Sequence, residues 1–417
     1  MIPKMVLIGP FSQIVTMRKL PARGALKDNQ LEIISKGGLL VQNGLIADVG
    51  PFAILARQAK KTKIKIYEIA EPATLIPGFI DCHTHICFAG TRAKDYALRV
   101  AGTSYLEIAK QGGGILDTVR KTRKATLSEL IYTLTERANR HLYDGVTTCE
   151  VKSGYGLTDK DEIKMLTAIA RVNASHPTDL VPTVLAHIKP PEYADHASYL
   201  NNVANRLLPK VFAKGFAKRV DIFIEDGAFS PDVSRPFLLR AKSLGFDIVV
   251  HADQFGTGGS RLAAEVGALS ADHLESTTET ELALLAKSGV IAVALPGASL
   301  GLGMAFSPAR KILDMGLSLA IASDWNPGSA PMGDLLMQAA VLGAAQKLTL
   351  AETLAALTVR AAMALKLDDR GCFATGQLAD AIAFPTADYR DILYYQGRMK
   401  PFTVWKRGKK IKPRLSQ

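Results

Sequence analysis

From about residue 75 the chain repeats one unit, a short apolar β-rich run followed by an amphipathic helical segment. No other feature narrows the possible folds as far. The runs are 75–83, 145–152, 179–187, 219–225, 246–251, 268–273, 289–295 and 317–324. Between them lie helical patterns such as Leu127–Tyr143, Asp159–Asn173, Ser230–Ser243 and Thr278–Lys287. Thr126 with Glu129, and Thr158 with Asp161, fit helix N-caps with an acid close behind. Strands alternating with helices in this number predict an α/β fold, a (β/α)8 TIM-like barrel whose chemistry sits at the C-terminal strand ends. A doubly wound open sheet is the structural competitor. The absence of Gly-x-Gly-x-x-Gly after the first run counts against it.

The flanks have a different texture. Residues 38–50 read as two short strands joined by Asn43-Gly44, the strongest local hairpin signal. After a helical stretch at Leu350–Leu365, short strands recur at 379–384 and 402–406. Residues 1–74 and 366–417 are therefore expected to pair as a small composite β-domain beside a barrel of residues 75–365.

Composition removes several function classes. Of the 417 residues 48% are apolar, yet no apolar stretch reaches 18 residues, so no membrane span is expected. The first ten residues lack the layout of a secretory signal. Cys82, Cys87, Cys149 and Cys372 are too few and too scattered for a disulfide framework, which makes a reducing cytoplasm the simplest location. The net charge of +12 is spread along the chain, and its densest runs, 60–63 and 406–410, lie towards the ends. Without aromatic residues interleaved, a solvated basic surface is expected and nucleic acid is not.

Five of the eight histidines fall at predicted C-terminal strand ends: His83 and His85 on the first strand, His187 on the third, His251 on the fifth and His273 on the sixth. Asp324 ends the eighth. A lone histidine at a strand end is usually a satisfied core residue, but five with an aspartate around one barrel mouth are not. His83 and His85 share a strand face because side chains alternate with period two. We take His83, His85, His251 and Asp324 as ligands of one divalent metal ion, zinc or iron, with a position left open for water. Asp324 is also a candidate proton acceptor, and His273 a nearby proton shuttle. One metal is expected rather than two, because the fourth strand ends in Glu225-Asp226-Gly227 and offers no lysine bridge. Lys152 ends the second strand, where an ion pair with Glu150 or a neighbour is its plainer reading. Cys82 faces away from both histidines and reads as packing.

These residues resemble the amidohydrolase superfamily, whose first barrel strand carries Pro-Gly-Phe-Ile-Asp-x-His-x-His. Within it the chain is similar to the imidazolonepropionase family over nearly its whole length. The similarity is carried by His83-Thr84-His85-x-x-Phe88-Ala89-Gly90-x-Arg92, Gln111-Gly112-Gly113-Gly114-Ile115, Lys152-Ser153-Gly154-Tyr155-Gly156-Leu157 and His187-x-x-Pro190-Pro191-Glu192-Tyr193. His251-Ala252-Asp253-Gln254, Asp272-His273-Leu274-Glu275 and Ser323-Asp324-Trp325-Asn326-Pro327-Gly328-Ser329 complete it. The His-x-His alone would be weak; the ordered set is specific.

The resemblance implies hydrolysis of 4-imidazolone-5-propanoate to N-formimidoyl-L-glutamate in histidine degradation. Its substrate is a small anionic cyclic amide, and a homodimer is implied as well. Arg92 would hold the propanoate through a charge-assisted contact. Tyr155, His187, Asn326, Gly328 and Ser329 would line the substrate, although 326–329 alone would read as a plain turn. Gln254 stands where some relatives carry glutamate. It can orient an amide but cannot transfer a proton, so it is expected to bind substrate. The triple glycine 112–114 reads as a flexible loop, with a close backbone approach as the alternative. Three rivals stay open: a related cyclic amidohydrolase or deaminase, a scaffold that has lost its metal, and, more distantly, a nucleic-acid binder.

Overall fold

In the computed structural model, which describes residues 5–103, 107–108 and 111–411, each expected barrel run forms a strand. They are β1 (Phe79–Asp81), β2 (Val146–Lys152), β3 (Asp179–Ala186), β4 (Arg219–Ile224), β5 (Asp247–Ala252), β6 (Ser270–His273), β7 (Ile291–Ala294) and β8 (Leu319–Ile321). Every neighbouring pair is parallel and sequential. β1, β2, β6, β7 and β8 are buried along their whole length, which is why none shows the alternation of a half-exposed strand. The sheet closes just beyond its first and last strands. Asp324 N donates to His83 O at 3.1 Å, His85 N donates to Trp325 O at 2.9 Å, and Thr84 bridges Trp325.

The helices form where their caps and apolar stripes allow. Thr126 and Glu129 make a reciprocal capping box ahead of Leu127–Tyr143, whose buried face is Leu130, Leu134, Ala138, His141 and Leu142. The Thr158 side chain accepts from Asp161 N ahead of Asp159–Ser175. A cap of this kind contributes about 1 kcal/mol.

One expected strand is divided. Residues 75–83 do not form a single strand: Thr74–Pro77 pairs with Ala381–Phe384 in a second sheet, and only Phe79–Asp81 enters the barrel. The break falls at Gly78, where a Cβ would sit 2.3 Å from Thr147 Oγ1. Only a residue without a side chain lets the chain pass there from one sheet to the other.

That second sheet is the composite β-domain. Its order is Lys409–Ile411, Thr403–Lys406, Ala381–Phe384, Thr74–Pro77, Met5–Val15, Ile33–Gln42 and Leu45–Pro51, with Lys65–Glu68 also pairing Met5–Val15. Asn43 and Gly44, at φ 53° and 88°, make the tight turn that two consecutive positive φ values require. Phe11 and Trp405 meet edge to face at 6.0 Å within its core.

The basic run near the C-terminus is not simply solvated, contrary to expectation. Lys406 is buried and donates to Asp380 Oδ2 (2.5 Å), Asp179 Oδ2 (2.8 Å) and Thr147 O (3.0 Å). Arg370 and Arg407 reach the same Asp179, at 2.6 and 2.9 Å. Asp179 opens β3, so this cluster fastens the β-domain to the barrel. Among the described residues no helix is long and apolar enough to cross a membrane.

Candidate metal centre

β1 runs directly into His83 and His85, β5 carries His251 one residue before its end, and Asp324 follows β8. All four side chains are buried and converge at the barrel mouth. His85 Nε2 lies 3.3 Å from the Nε2 atoms of both His83 and His251. Asp324 Oδ1 is 3.3 Å from His85 Nε2 and 3.6 Å from His83 Nε2. Ligand bonds of about 2.0–2.1 Å in a tetrahedral centre put neighbouring donor atoms roughly 3.3 Å apart. The donor set therefore has the size and chemistry of a divalent metal site.

Its imidazoles are in the form that ligates. Burial pushes His85 down to about 3 and His251 to about 4, and holds His83 well below the ordinary histidine range, so all three are neutral near pH 7. Their orientation is fixed from behind. Asp272 Oδ2 sits 2.6 Å from His83 Nδ1, and Asp221 lies 3.0 Å from His251 Nδ1. Each carboxylate accepts a hydrogen bond from Nδ1–H, leaving the Nε2 lone pair aimed at the centre. Lys152 is fully buried, 2.6 Å from Glu150 Oε1 and 2.7 Å from Asp221 Oδ2. Burial disfavours its charge, but Asp221, Glu150 and Asp272 outweigh that and raise its pKa. The expected ion pair is present and has a second partner.

Around the mouth, several non-glycine residues take positive φ: Asp253 (54°), His273 (91°), Leu274 (69°) and Asp324 (50°). Backbone in that region costs of order 1–3 kcal/mol per residue and persists where the surroundings over-determine it. His273 packs against His251, ring centroids 5.3 Å apart, and its Nδ1 is 3.4 Å from Glu275 Oε2. Burial opposes its protonation, but Glu275 prevails and the pKa rises.

The expected substrate residues separate into two groups. Tyr155, His187, Gln254 and Arg92 are all buried at the mouth. His187 stacks on His85 (5.6 Å) and its Nδ1 lies 3.3 Å from Gly154 O, while Tyr155 packs against both rings at 6.1 and 5.3 Å. Arg92 Nε donates to Asp95 Oδ2 at 2.9 Å, and a Cβ on Gly328 would fall 2.4 Å from one of its terminal nitrogens. The 326–329 loop, by contrast, is turned in on itself. Asn326 Nδ2 donates to Asp324 Oδ2 (3.0 Å) and Ser329 Oγ (2.9 Å), and its Oδ1 takes Gly328 N and Ser329 N at 2.7 and 2.8 Å. The donors of Asn326, Gly328 and Ser329 are thus engaged within the loop and at Asp324 in this structure. The glycines at 112–114 favour close approach over flexibility. Gly114 N bonds Asp95 Oδ2 at 2.8 Å, and a Cβ on Gly113 would lie 2.6 Å from Asp95 Oδ1.

Sequence reasoning gave no supporting role to the carboxylates behind the site residues: Asp221, Asp272, Glu275 and Asp95, as well as Glu225, which accepts Gln254 N and Phe255 N at 2.7 and 2.9 Å. For Asp221 a signal exists, since Val220-Asp221-Ile222 puts an acid in the middle of an otherwise apolar strand.

Comparison with known proteins agrees with this geometry. The model of the Amidohydrolase family matches residues 225–412. An imidazolonepropionase of Bdellovibrio bacteriovorus is 38% identical over 412 residues, covering 97% of this chain and 96% of its own. Another, of Symbiobacterium thermophilum, is 41% identical over 416 residues, covering 98% and 97%. Among solved structures, an adenosine deaminase of Xanthomonas campestris with bound zinc superposes with a TM-score of 0.70 at 20% identity, covering 97% of this chain and 92% of that one, a likeness of fold alone.

Proposed function

The chain belongs to the imidazolonepropionase family of amidohydrolases, and from that premise we propose the chemistry of its barrel mouth. Water opens the cyclic amide of 4-imidazolone-5-propanoate, a step of histidine degradation, and gives N-formimidoyl-L-glutamate. His83, His85, His251 and Asp324 hold one divalent ion, zinc or iron(II), since both accept imidazole and carboxylate donors. When bound, such an ion lowers the pKa of a water from about 15.7 to ~7 and polarises a carbonyl.

The protein's own groups do the rest. Burial raises Asp324 above the ordinary carboxylate value against the pull of His273 and His251, which makes it the better proton acceptor. It takes the proton of the attacking water as the new C–O bond forms at the ring carbonyl. It then returns that proton to the ring nitrogen as the C–N bond breaks, leaving a neutral nitrogen and a carboxylic acid, which releases the second proton of the water to solvent and becomes a carboxylate. His273, whose proton affinity Glu275 raises against the effect of burial, stabilises the oxyanion in between. His187 and Tyr155 bound the ring, Gln254 orients its amide, and Arg92 binds the propanoate. Asn326, Gly328 and Ser329 act at one remove, holding Asp324 Oδ2 in place.

The observation that carries this proposal is the place of His85 Nε2, 3.3 Å from the Nε2 atoms of His83 and His251 and from Asp324 Oδ1, with His83 Nε2 3.6 Å from the same oxygen. The test is elemental analysis of purified protein together with an assay of imidazolonepropionate ring opening. One equivalent of zinc or iron and turnover of this substrate in preference to hydantoin, pyrimidine and purine rings are expected. Metal-free protein with full activity would refute the ligand set.

A further inference from the structure

Barrel interiors are ordinarily filled by layers of branched apolar side chains. Here Glu150, Lys152 and Asp221 replace part of one layer, and each is fully buried. Following their contacts outward gives one continuous path between the two halves of the ligand set. Glu150 Oε2 accepts the backbone N–H of Thr84, the residue between His83 and His85, at 3.1 Å. Glu150 Oε1 takes Lys152 Nζ at 2.6 Å. The same ammonium lies 2.7 Å from Asp221 Oδ2. Asp221 in turn meets both the backbone N–H of His251, at 3.2 Å, and its Nδ1, at 3.0 Å. Lys152 also donates its backbone N–H to Thr84 O at 3.0 Å.

We propose that Lys152 is a positioning residue for the metal, a single ammonium that registers the β1 histidine pair against the β5 histidine through two carboxylates. The proposal rests on the assignment of His83, His85, His251 and Asp324 as ligands. The physical case is one of geometry and charge. Two buried carboxylates repel unless a cation lies between them, and an ammonium with three donors can hold both. Without it, Asp221 and Glu150 move apart, and the imidazole and backbone they support move with them. Carboxylates behind ligating histidines act on metal affinity in this way, typically by 10–100-fold.

The test is Lys152→Met, which keeps the length of the side chain and removes its charge. Metal affinity is measured by competition with a chelator, and Michaelis constants are measured at saturating metal. A loss of about 10–100-fold in metal affinity with an unchanged KM is expected. A dissociation constant within about twofold of the parent, below the range that loss of a supporting partner produces, would overturn the proposal. The double variant E150Q/K152M removes one negative and one positive charge together, and it also serves if K152M does not accumulate folded. Its affinity should stay weak, because Asp221 still lacks its anchor. Recovery to the parental value would show that Lys152 only neutralises Glu150, and failure of both variants to fold would assign it to stability; either outcome overturns the proposal. A parent protein that binds no metal would instead refute the ligand set itself, so the two failures are distinguishable.

Discussion

Arg92 offers the most quantitative test of how this site recognises its substrate. Its Nε is spent on Asp95 Oδ2, which also receives Gly114 N. That contact fixes the plane of the guanidinium, whose outer edge lies against the backbone of Gly328. If Arg92 binds the propanoate as proposed, Arg92→Ala removes a charge-assisted hydrogen bond worth about 1.5–3 kcal/mol. At 1.4 kcal/mol per decade this is roughly a 10- to 150-fold rise in KM. Because the propanoate lies away from the scissile bond, kcat should hardly change, the signature of uniform binding lost. Asp95 loses one partner in the variant but keeps Gly114 N, so the loop at 112–114 should survive. A neutral analogue, with the propanoate replaced by propanamide, separates recognition from collapse. The parent should bind it weakly, and Arg92→Ala should bind it no worse than the parent does. An unchanged KM for the natural substrate, or equal losses on acid and amide, would refute the assignment.

Three further outcomes follow from the geometry. His251→Ala should lose bound metal and activity together, checked by elemental analysis and assay; full metal content in the variant would remove His251 from the ligand set. Gly78→Ala pushes a methyl group to within 2.3 Å of Thr147 Oγ1 and should destabilise the fold by about 1–3 kcal/mol in chemical denaturation, partly recovered by adding Thr147→Ala. Burial raises the Asp179 carboxyl, but Lys406 and Arg370 outweigh it and hold the folded pKa below the ordinary value. Its stabilisation is therefore complete above the unfolded carboxylate value of about 4 and disappears as the pH falls through the lower folded one. Asp179→Asn should shrink the stability difference between pH 7 and pH 3, measured by urea unfolding at each pH.

The barrel was legible because short β-rich runs alternate with helical patterns and several runs end in a histidine or acid, as in Ile248-Val249-Val250-His251. The four proposed ligands stood out because they fall at the ends of such runs. What escaped notice depends on contacts between residues distant in the chain. Nothing beside Thr74 indicates that it pairs with Phe384, so the sheet change at Gly78 was hidden inside one continuous β pattern. Lys406 looked like one charge among several in a basic run because its partners, Asp179 and Asp380, arrive from elsewhere. That the donors of the 326–329 loop meet Asn326 and Asp324 was hidden too, since no spacing rule distinguishes an outward turn from an inward one.

The seam where Thr84 meets Trp325 has a consequence for biosynthesis. The metal donors come from opposite ends of the barrel segment, so nearly all of it must leave the ribosome before Asp324 can reach the first two imidazoles. Bringing such distant positions together carries the largest loop-closure entropy the barrel has to meet, and pairings of that kind form late. Cation loading should thus be a terminal event of maturation, and a chain stalled before residue 324 should have no competent pocket to fill.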